Sequence, residues 1–509
     1  MSEALLRDVE NPDFIISLAN EAATVALAED LAACLTQGDL ICLSGDLGAG
    51  KSTLARALLR AFADDDELEV PSPTFTLVQT YELPRFAISH FDLYRLEEPE
   101  EVQELGLDEL LESGAALVEW PEMGEGELPR NRIWISLQGG DDDKRVASIK
   151  LEGELTPHRM TRSFAIRAFL TASGHANALR RYLKGDASAR AYELIRTEGQ
   201  DMILMNAPAL ETLENGEALA AYARSAHLAL DIRSFVAVDQ ELRRQGFAAP
   251  EIFASDLQQG LLLQEHLGSE GMLDASGNVL PERYHAATDV LAQMHRRTWP
   301  RHLTLPDGDS YVLPDFSREA LLAEVCLFLD WYVPEVSGNA ASDALRQEFR
   351  SLWSAVFDKV GDAELGWVLR DYHSPNLHWR GERSGHARVG LIDFQDAMIG
   401  PTAYDLGSLL FDARVEVPEV LEQELLSTYL KVRQSQDDAF DQMAFKAAYS
   451  VYAAQRITKI LGIFVRLAKR DGKPAYLSHL PRMNAYLDRA LRDPVLSDLQ
   501  HWFDLHRPR

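Results

Sequence analysis

The chain has 509 residues, and at about 150 residues per domain that length predicts at least two hydrophobic cores. Its 50 basic and 80 acidic side chains leave a formal charge of −30, which argues against non-specific binding to nucleic acid, because such binding is driven by Lys and Arg neutralising phosphates. A hydrophobic fraction of 46% with 26% charged residues is that of a folded globular chain, and three cysteines without C-x-x-C spacing (Cys34, Cys42 and Cys326) exclude a disulfide framework or a cysteine-rich zinc site.

The N-terminal segment MSEALLRDVENPDF carries acids where a secretion signal needs a basic start and an apolar run, so no export is expected. The apolar stretch from Ala320 to Val333 is broken by Glu324 and Asp330, short of the roughly 18 residues that a membrane helix needs, so no membrane association is expected either. The expected location is the cytoplasm.

In chain order, residues 1–155 read as one module. DLICLSG (39–45) is a short apolar run ending in Gly, KSTLARALLRAFA (51–63) has helical spacing, and FTLVQTYEL (75–83) and FAISHFDLY (86–94) predict strands. That alternation argues an α/β layer structure, and the acidic run Asp64–Glu69 predicts a solvated loop. Near residues 150–165 the strand-like RVASIKLEG gives way to the polar ELTPHRMTR, which sets the start of a second module at 160–509. It opens with a helical stretch from Ser163 to Leu183 and the turn GDASA (185–189). Strands follow in RAYELIR, DMILMNAP and GLLLQEHLG, around an alanine-rich helical insert. After Pro281 the pattern is mostly helical, interrupted by the strand-and-loop units WVLRDYHSPNLHW and RVGLIDFQDA.

Gly45-Asp46-Leu47-Gly48-Ala49-Gly50-Lys51-Ser52-Thr53 matches G-x-x-x-x-G-K-[ST] between a predicted strand and a predicted helix. A phosphate chain needs amides that approach closely, which Gly45, Gly48 and Gly50 allow. The helix N-terminus adds favourable charge, Lys51 a cation and Ser52 a hydroxyl for Mg²⁺. A phosphate-bound Mg²⁺ also wants a carboxylate at a neighbouring strand end, which Asp92 supplies. Thr74, in PSPTF, could present its hydroxyl to the metal, while Glu119 could orient the attacking water and Trp120 cover the site. Without the P-loop, each reads as an ordinary turn or strand-end residue.

GDLGAGKST, PSPTF, HFDLYR and VEWPE, in this order, resemble the TsaE (YjeE) family over about residues 14–150. The resemblance implies a small P-loop ATPase of bacterial tRNA threonylcarbamoyladenosine biosynthesis that works with TsaD and TsaB. It places Lys51 and Ser52 at phosphate and Mg²⁺, Thr74 and Asp92 at the metal, and Glu119 with Trp120 at the end of the site.

In the second module, Asp371 stands five residues before Asn376, and Ile392-Asp393-Phe394 follows, the layout of a kinase catalytic loop and its metal-binding Asp. One carboxylate must accept or orient the acceptor hydroxyl's proton while an Asn and a second carboxylate hold Mg²⁺ against the triphosphate. Asp371 is the expected base, with Asn376 and Asp393 as metal ligands. Asp393 is followed by Phe394-Gln395-Asp396, without the glycine of protein kinases and without an A-P-E motif, which points to a small-molecule kinase.

GDASARAY, LLLQEHLG, AQMHRR, LRDYHSPNLHW and LIDFQDAMIGPTAYDLGSLL resemble the aminoglycoside phosphotransferase-like superfamily over about residues 165–500. Within it, GDASARAY with DYHSPNL looks most like the AmgK-type kinases that phosphorylate the anomeric hydroxyl of N-acetylmuramate and N-acetylglucosamine in cell-wall recycling. The implied architecture is an α/β P-loop NTPase domain followed by an α+β, bilobal protein-kinase-like domain, with an N-lobe at 160–268 and a C-lobe at 269–509. The implied cofactors are ATP and Mg²⁺, and the implied acceptor is a small amino sugar. GDASA would cover the phosphates, the hinge Gln264, Glu265 and Leu267 would meet adenine, and Asp405 would be structural.

One departure stands out: between Thr161 and Glu270 the sole lysine is Lys184, so the strand DMILMNAP carries no phosphate-pairing lysine. Arg190 or Arg196 could replace it, since guanidinium groups bind phosphate well. His295 reads as a packed structural residue; Glu324, Trp331 and Tyr332 could face a sugar or simply pack. Two alternatives stay open: an aminoglycoside, choline or other alcohol as acceptor, and a non-catalytic nucleotide-binding scaffold that regulates the ATPase.

Overall fold

The computed structural model describes residues 10–139, 144–183, 190–213, 216–225 and 228–508. The chain forms two compact units, Met1–Asn206 with Phe253–Gln264, and Ala207–Ile252 with Glu265–Arg509.

The first unit holds two sheets. The larger is built from β1 (Phe14–Leu18), β2 (Leu40–Ser44), β3 (Val78–Tyr81), β4 (Ala87–Asp92), β5 (Gly114–Glu119), β6 (Arg132–Gly139) and β7 (Arg145–Glu152), in the order β1-β7-β6-β2-β5-β4-β3. Every residue of β2 and β5 is buried, because they lie in the parallel centre of this mixed sheet, whose two faces are both covered. Successive strand side chains point to opposite faces. Ile41 and Leu43 therefore join one core with Leu31, Leu54 and Leu58 of α1 (Glu21–Cys34) and α2 (Lys51–Ala63), while Leu40 and Cys42 join another with Leu107 of α3 (Leu107–Ser113). Strand β5 runs parallel to both β2 and β4, pairing Leu43 with Glu119 and Asp92 with Glu119. The carboxyl ends of three strands thus lie together, where α/β sheets bind ligands.

The helix expected from Ser163 to Leu183 is two elements: α4 (His158–Ala172), closed by a turn containing Gly174 at φ +85°, and strand β8 (Leu179–Leu183). Strand β8 pairs antiparallel with β9 (Ala191–Arg196), which pairs with β10 (Asp201–Asn206). With β11 (Ile252–Asp256) and β12 (Leu261–Glu265) they form the second sheet, in the order β11-β12-β10-β9-β8. The turn GDASA lies outside the described residues.

Helix α4 serves both sheets: Met160 is buried in the core of the first, and Ile166, Phe169 and Leu170 in that of the second. The junction expected at 155–160 therefore falls inside the first unit. Charges reinforce this packing. Arg180 of β8 pairs with Asp30 of α1 and with Glu193 of β9, each at 2.7 Å; Arg181 meets Glu29 at 2.8 Å; Arg167 of α4 reaches Glu29 at 3.0 Å and Asp30 at 2.9 Å. The acidic run after α2 is exposed, as expected of a solvated loop, yet Asp66 meets Arg181 at 2.5 Å and Asp64 meets Arg196 at 2.9 Å.

The second unit is mainly helical. Its long helix Gln442–Arg470 packs on the helices Ala403–Leu410 and Arg318–Leu327. Two small antiparallel ladders, Leu365–Val368 with Met398–Pro401 and Leu377–Trp379 with Val389–Leu391, frame the loops 369–376 and 392–397. Among the described residues no helix is long and apolar enough to cross a membrane.

Removing one partner of a buried ion pair leaves an uncompensated charge, at a cost of about 3–5 kcal/mol, whereas a half-exposed pair contributes about 1 kcal/mol or less. Asp30→Asn is expected to cost stability on the first scale and Arg196→Ala on the second, measured by urea unfolding of the full chain.

Candidate functional site

The P-loop follows β2 and opens α2. Gly45, at φ +140°, could not carry a side chain, because a Cβ there would lie 2.3 Å from the Leu137 carbonyl oxygen. Gly50, at φ +105°, is the left-handed residue from which α2 starts. Asp46 anchors the loop, its carbonyl accepting the Ala49 amide at 3.1 Å. The buried Lys51 folds back over this loop: its Nζ donates to the carbonyls of Gly45 at 2.6 Å and Asp46 at 2.9 Å and stands 3.5 Å from the centre of the Trp120 ring. Burial lowers its pKa, opposed chiefly by Glu119, Glu122 and Asp92.

Ser52 Oγ donates to Glu119 Oε2 at 2.7 Å, so the first turn of α2 and the end of β5 meet. Thr74 Oγ1 and Ser72 Oγ both donate to Asp92 Oδ2, at 2.8 and 2.7 Å. Trp120 takes up the left-handed region at φ +59°, a conformation costly for a bulky residue, while its amide donates to the Leu43 carbonyl at 3.2 Å. Thr53 continues α2 one residue past Ser52. The hydroxyls of Ser52 and Thr74 with the carboxylates of Asp92 and Glu119 form an all-oxygen donor set that suits Mg²⁺.

Two residues of this site escaped the sequence reading. His90 Nε2 lies 2.9 Å from Glu119 Oε1 with both side chains buried, and Ser72 shares Asp92 with Thr74. Strand alternation is the signal for His90, since it stands two residues before Asp92 and so on the same face of β4.

In the second unit, Ile392 N donates to the Asn376 carbonyl at 3.1 Å, which carries the Leu377–Leu391 ladder into the loops and brings Asn376 beside Asp393. Asn376 Nδ2 donates to Asp393 Oδ2 at 3.2 Å and to the Asp371 carbonyl at 2.9 Å, and Gln395 Nε2 donates to Asp393 Oδ1 at 2.7 Å. The amide and carboxylate oxygens of Asn376 and Asp393 suit Mg²⁺. Arg370 and Asp393 are both left-handed, at φ +71° and +58°. Asp405 holds the catalytic loop by accepting the amides of Leu369 at 2.6 Å and Arg370 at 2.9 Å. Burial pushes the Asp405 carboxyl up to about 7 against those two bonds.

Asp371 Oδ1 accepts from Arg456 Nη2 at 3.1 Å, and Arg456 Nη1 donates to the Arg370 carbonyl at 2.8 Å. Burial raises the Asp371 carboxyl, but Arg456, then His373, Lys459 and Arg370, outweigh it and hold the group below the usual carboxylate range. Arg456 comes from a helix 85 residues further along the chain, and no local pattern signals it. Glu324 is buried and binds Arg370, Lys459 Nζ at 2.8 Å and Gln455 Nε2 at 2.9 Å. It therefore faces this ion cluster, which decides one of the open readings. Tyr332 is core, stacked on Phe328 with ring centres 4.9 Å apart. His295 is buried against the Tyr429 hydroxyl at 2.8 Å, as a structural histidine.

The residues expected to form the hinge divide between the units: Gln264 closes the first and Glu265 and Leu267 belong to the second. The Glu265 amide donates to the Glu251 carbonyl at 2.7 Å, and its carboxylate accepts from Arg380 at 3.0 Å. Arg190 is partly exposed at the start of β9, next to the turn outside the described residues. Arg196, the alternative phosphate partner, pairs with Asp64 at 2.9 Å with both side chains part-exposed.

A P-loop at the carboxyl edge of a parallel sheet and a D-x-x-x-x-N loop beside an I-D-F strand end define a nucleotide-hydrolysing domain joined to a kinase-like phosphotransferase. Residues 18–147 match the model of the family described as Threonylcarbamoyl adenosine biosynthesis protein TsaE, and residues 180–445 that of the Phosphotransferase enzyme family. The chain belongs to both families, one in each half. An N-acetylmuramate/N-acetylglucosamine kinase of Caulobacter vibrioides is 38% identical over 362 residues, 68% of this chain and 97% of that protein. Its namesake in Pseudomonas aeruginosa is 32% identical over 327 residues, 62% of this chain and 84% of that one. A tRNA threonylcarbamoyladenosine biosynthesis protein TsaE of Rickettsia bellii is 42% identical over 135 residues, 26% of this chain and 93% of that protein.

Glu324 has its pKa at about 2: burial raises it from the ordinary 4.5, and Lys459 and Arg370 more than reverse this. Because the folded value lies below the unfolded one, the unfolded chain takes up the proton first as pH falls, and the stability gained at neutral pH is lost between about 4.5 and about 2. Glu324→Gln is therefore expected to lower the melting temperature at pH 7 by several degrees, with the gap to the unmodified protein closing toward pH 2, read from thermal melts across that range.

Proposed function

We propose that the chain is bifunctional. Its N-terminal half is an ATPase supporting threonylcarbamoyladenosine modification of tRNA together with TsaD- and TsaB-type proteins. Its C-terminal half transfers the γ-phosphoryl group of ATP to the anomeric hydroxyl of N-acetylmuramate or N-acetylglucosamine. Both reactions would draw on ATP, and the location proposed for them is the cytoplasm. The observation that carries the kinase reading is Asp371: one carboxylate oxygen is pinned by Arg456, the other is left to the acceptor, and Asn376 with Asp393 stands beside its backbone.

Phosphoryl transfer passes through a loose transition state, so positioning and charge do most of the work. Asp371 would accept the sugar hydroxyl's hydrogen bond and aim its oxygen at the γ-phosphorus. A low pKa suits that task, since in a loose transition state the proton leaves late and a strong base gains little. Asn376 and Asp393 in this half, and Ser52, Thr74 and Asp92 in the other, would hold Mg²⁺, which when bound would supply positive charge against the charge that develops on the phosphate. In the ATPase half, Gly45, Gly48 and Gly50 would cradle the phosphates with their amides and Lys51 would turn from the loop carbonyls to the phosphate oxygens. Glu119 would orient the attacking water, with Trp120 closing over it. A polycationic aminoglycoside suits the kinase half poorly, because Glu324 is already shared by Arg370 and Lys459, and Asp371 by Arg456.

The test is ³¹P NMR of the full chain with Mg²⁺-ATP and either sugar. A sugar 1-phosphate signal is expected; Asp371→Asn should cut its rate by about a thousandfold, and Lys51→Ala should abolish the sugar-independent release of phosphate while sugar 1-phosphate still forms. Accumulation of ADP and phosphate with no sugar phosphate would overturn the kinase assignment.

A further inference from the structure

Glu324 carries more positive charge than it needs. Its carboxylate is buried, Arg370 already neutralises it, and Gln455 fills a further lone pair at 2.9 Å. Lys459 is a second cation on the same carboxylate, at 2.8 Å, with its own side chain only 12% exposed. A largely buried ammonium needs acceptors for its donors, and Glu324, already bound by Arg370 and Gln455, answers only one of them. An ammonium has three donors; among the described residues Glu324 is the one hydrogen-bond partner of Lys459.

Its position indicates what the free donors face. Lys459 lies three residues after Arg456 on helix Gln442–Arg470, and residues at that spacing share a helix face. Asn376, paired with Asp393, meets Asp371 through the Asp371 backbone carbonyl. The helix meets it through the carboxylate, the group that would take the acceptor hydroxyl. Lys459, on the face of the helix that sends Arg456 to the Asp371 carboxylate, acts electrostatically on that same carboxylate, the group that would meet the acceptor.

We propose that Lys459 determines acceptor specificity in the kinase half by binding an acidic substituent on the sugar. The inference rests on the sugar-kinase reading above. The two candidate sugars share the anomeric hydroxyl and the N-acetyl group, and N-acetylmuramate alone carries a carboxylate, on a lactyl ether two ring carbons from the reacting centre. A charge-assisted hydrogen bond from Lys459 to that carboxylate would favour N-acetylmuramate without touching the transferred group.

The experiment compares kcat/KM for the two sugars in the full chain, unmodified and as Lys459→Met and Lys459→Arg. Lys459→Met is expected to lower kcat/KM for N-acetylmuramate about tenfold to a hundredfold more than for N-acetylglucosamine, mainly through KM, with Lys459→Arg recovering most of the preference. Equal losses for both sugars would overturn the inference while leaving the sugar-kinase reading in place, since Lys459 would then act only through Glu324 on the catalytic loop. Turnover of neither sugar by the unmodified chain would overturn the reading and the inference together. If Lys459→Met does not fold, the unmodified enzyme is given the methyl ester of N-acetylmuramate, which keeps the shape and removes the charge. A fall of at least tenfold in kcat/KM supports the role of Lys459, and an unchanged value overturns it.

Discussion

A guanidinium taken out of water must find a carboxylate, and that requirement ties the first unit together. Arg167, Arg180 and Arg181 come from α4 and β8; their partners Glu29 and Asp30 come from α1, on the far side of the expected domain junction. Each side chain of this lattice is at most 14% exposed, so the ions cannot separate into water while the fold persists. The chain is consequently more than two modules in tandem: the P-loop sheet and the five-stranded sheet share a helix and a set of buried charges. Helix α2 extends this link, since it begins at Lys51 of the P-loop and is followed by Asp64 and Asp66, which pair with β9 and β8.

The same constraint builds the loop 369–376 of the second unit. Arg370 is held in a left-handed conformation, which costs energy for a residue of its size. That cost is offset by its side chain's ion pair with Glu324 and by the bond from its amide to Asp405. Arg456 then fixes Asp371 from a distant helix. The carboxylate is thereby held through one oxygen, Oδ1, at 3.1 Å. The P-loop half reaches a comparable result with lighter means: strand register sets Asp92 beside Glu119, and hydroxyls of Ser52, Ser72 and Thr74 complete the cluster.

The two halves also differ in how their charge is used. Lys51 stands on the Trp120 ring, whose quadrupole stabilises an ammonium. No lysine stands on β10 of the second sheet, and Arg196 is engaged with Asp64. The positive charge around Asp371 comes from the helical unit, through Arg456, Lys459 and Arg370.

Much of this was legible in the sequence because the relevant constraints are local. A phosphate loop needs glycines at fixed offsets followed by Lys and a hydroxyl, and the strand before it and helix after it announce themselves by apolar run and helical period. The D-x-x-x-x-N spacing and the I-D-F strand end are local in the same sense, so Asp371, Asn376 and Asp393 could be named as a group before their distances were known. The structure alone decided what depends on long-range contact. The stretch from Ser163 to Leu183 had a helical reading, but tertiary pairing with β9 draws Leu179–Leu183 into a sheet. His90 against Glu119, Arg456 on Asp371 and Lys459 on Glu324 join residues 29 to 135 positions apart. Nothing in a linear pattern fixes such pairs, because they arise only when buried charges are forced by packing to choose partners.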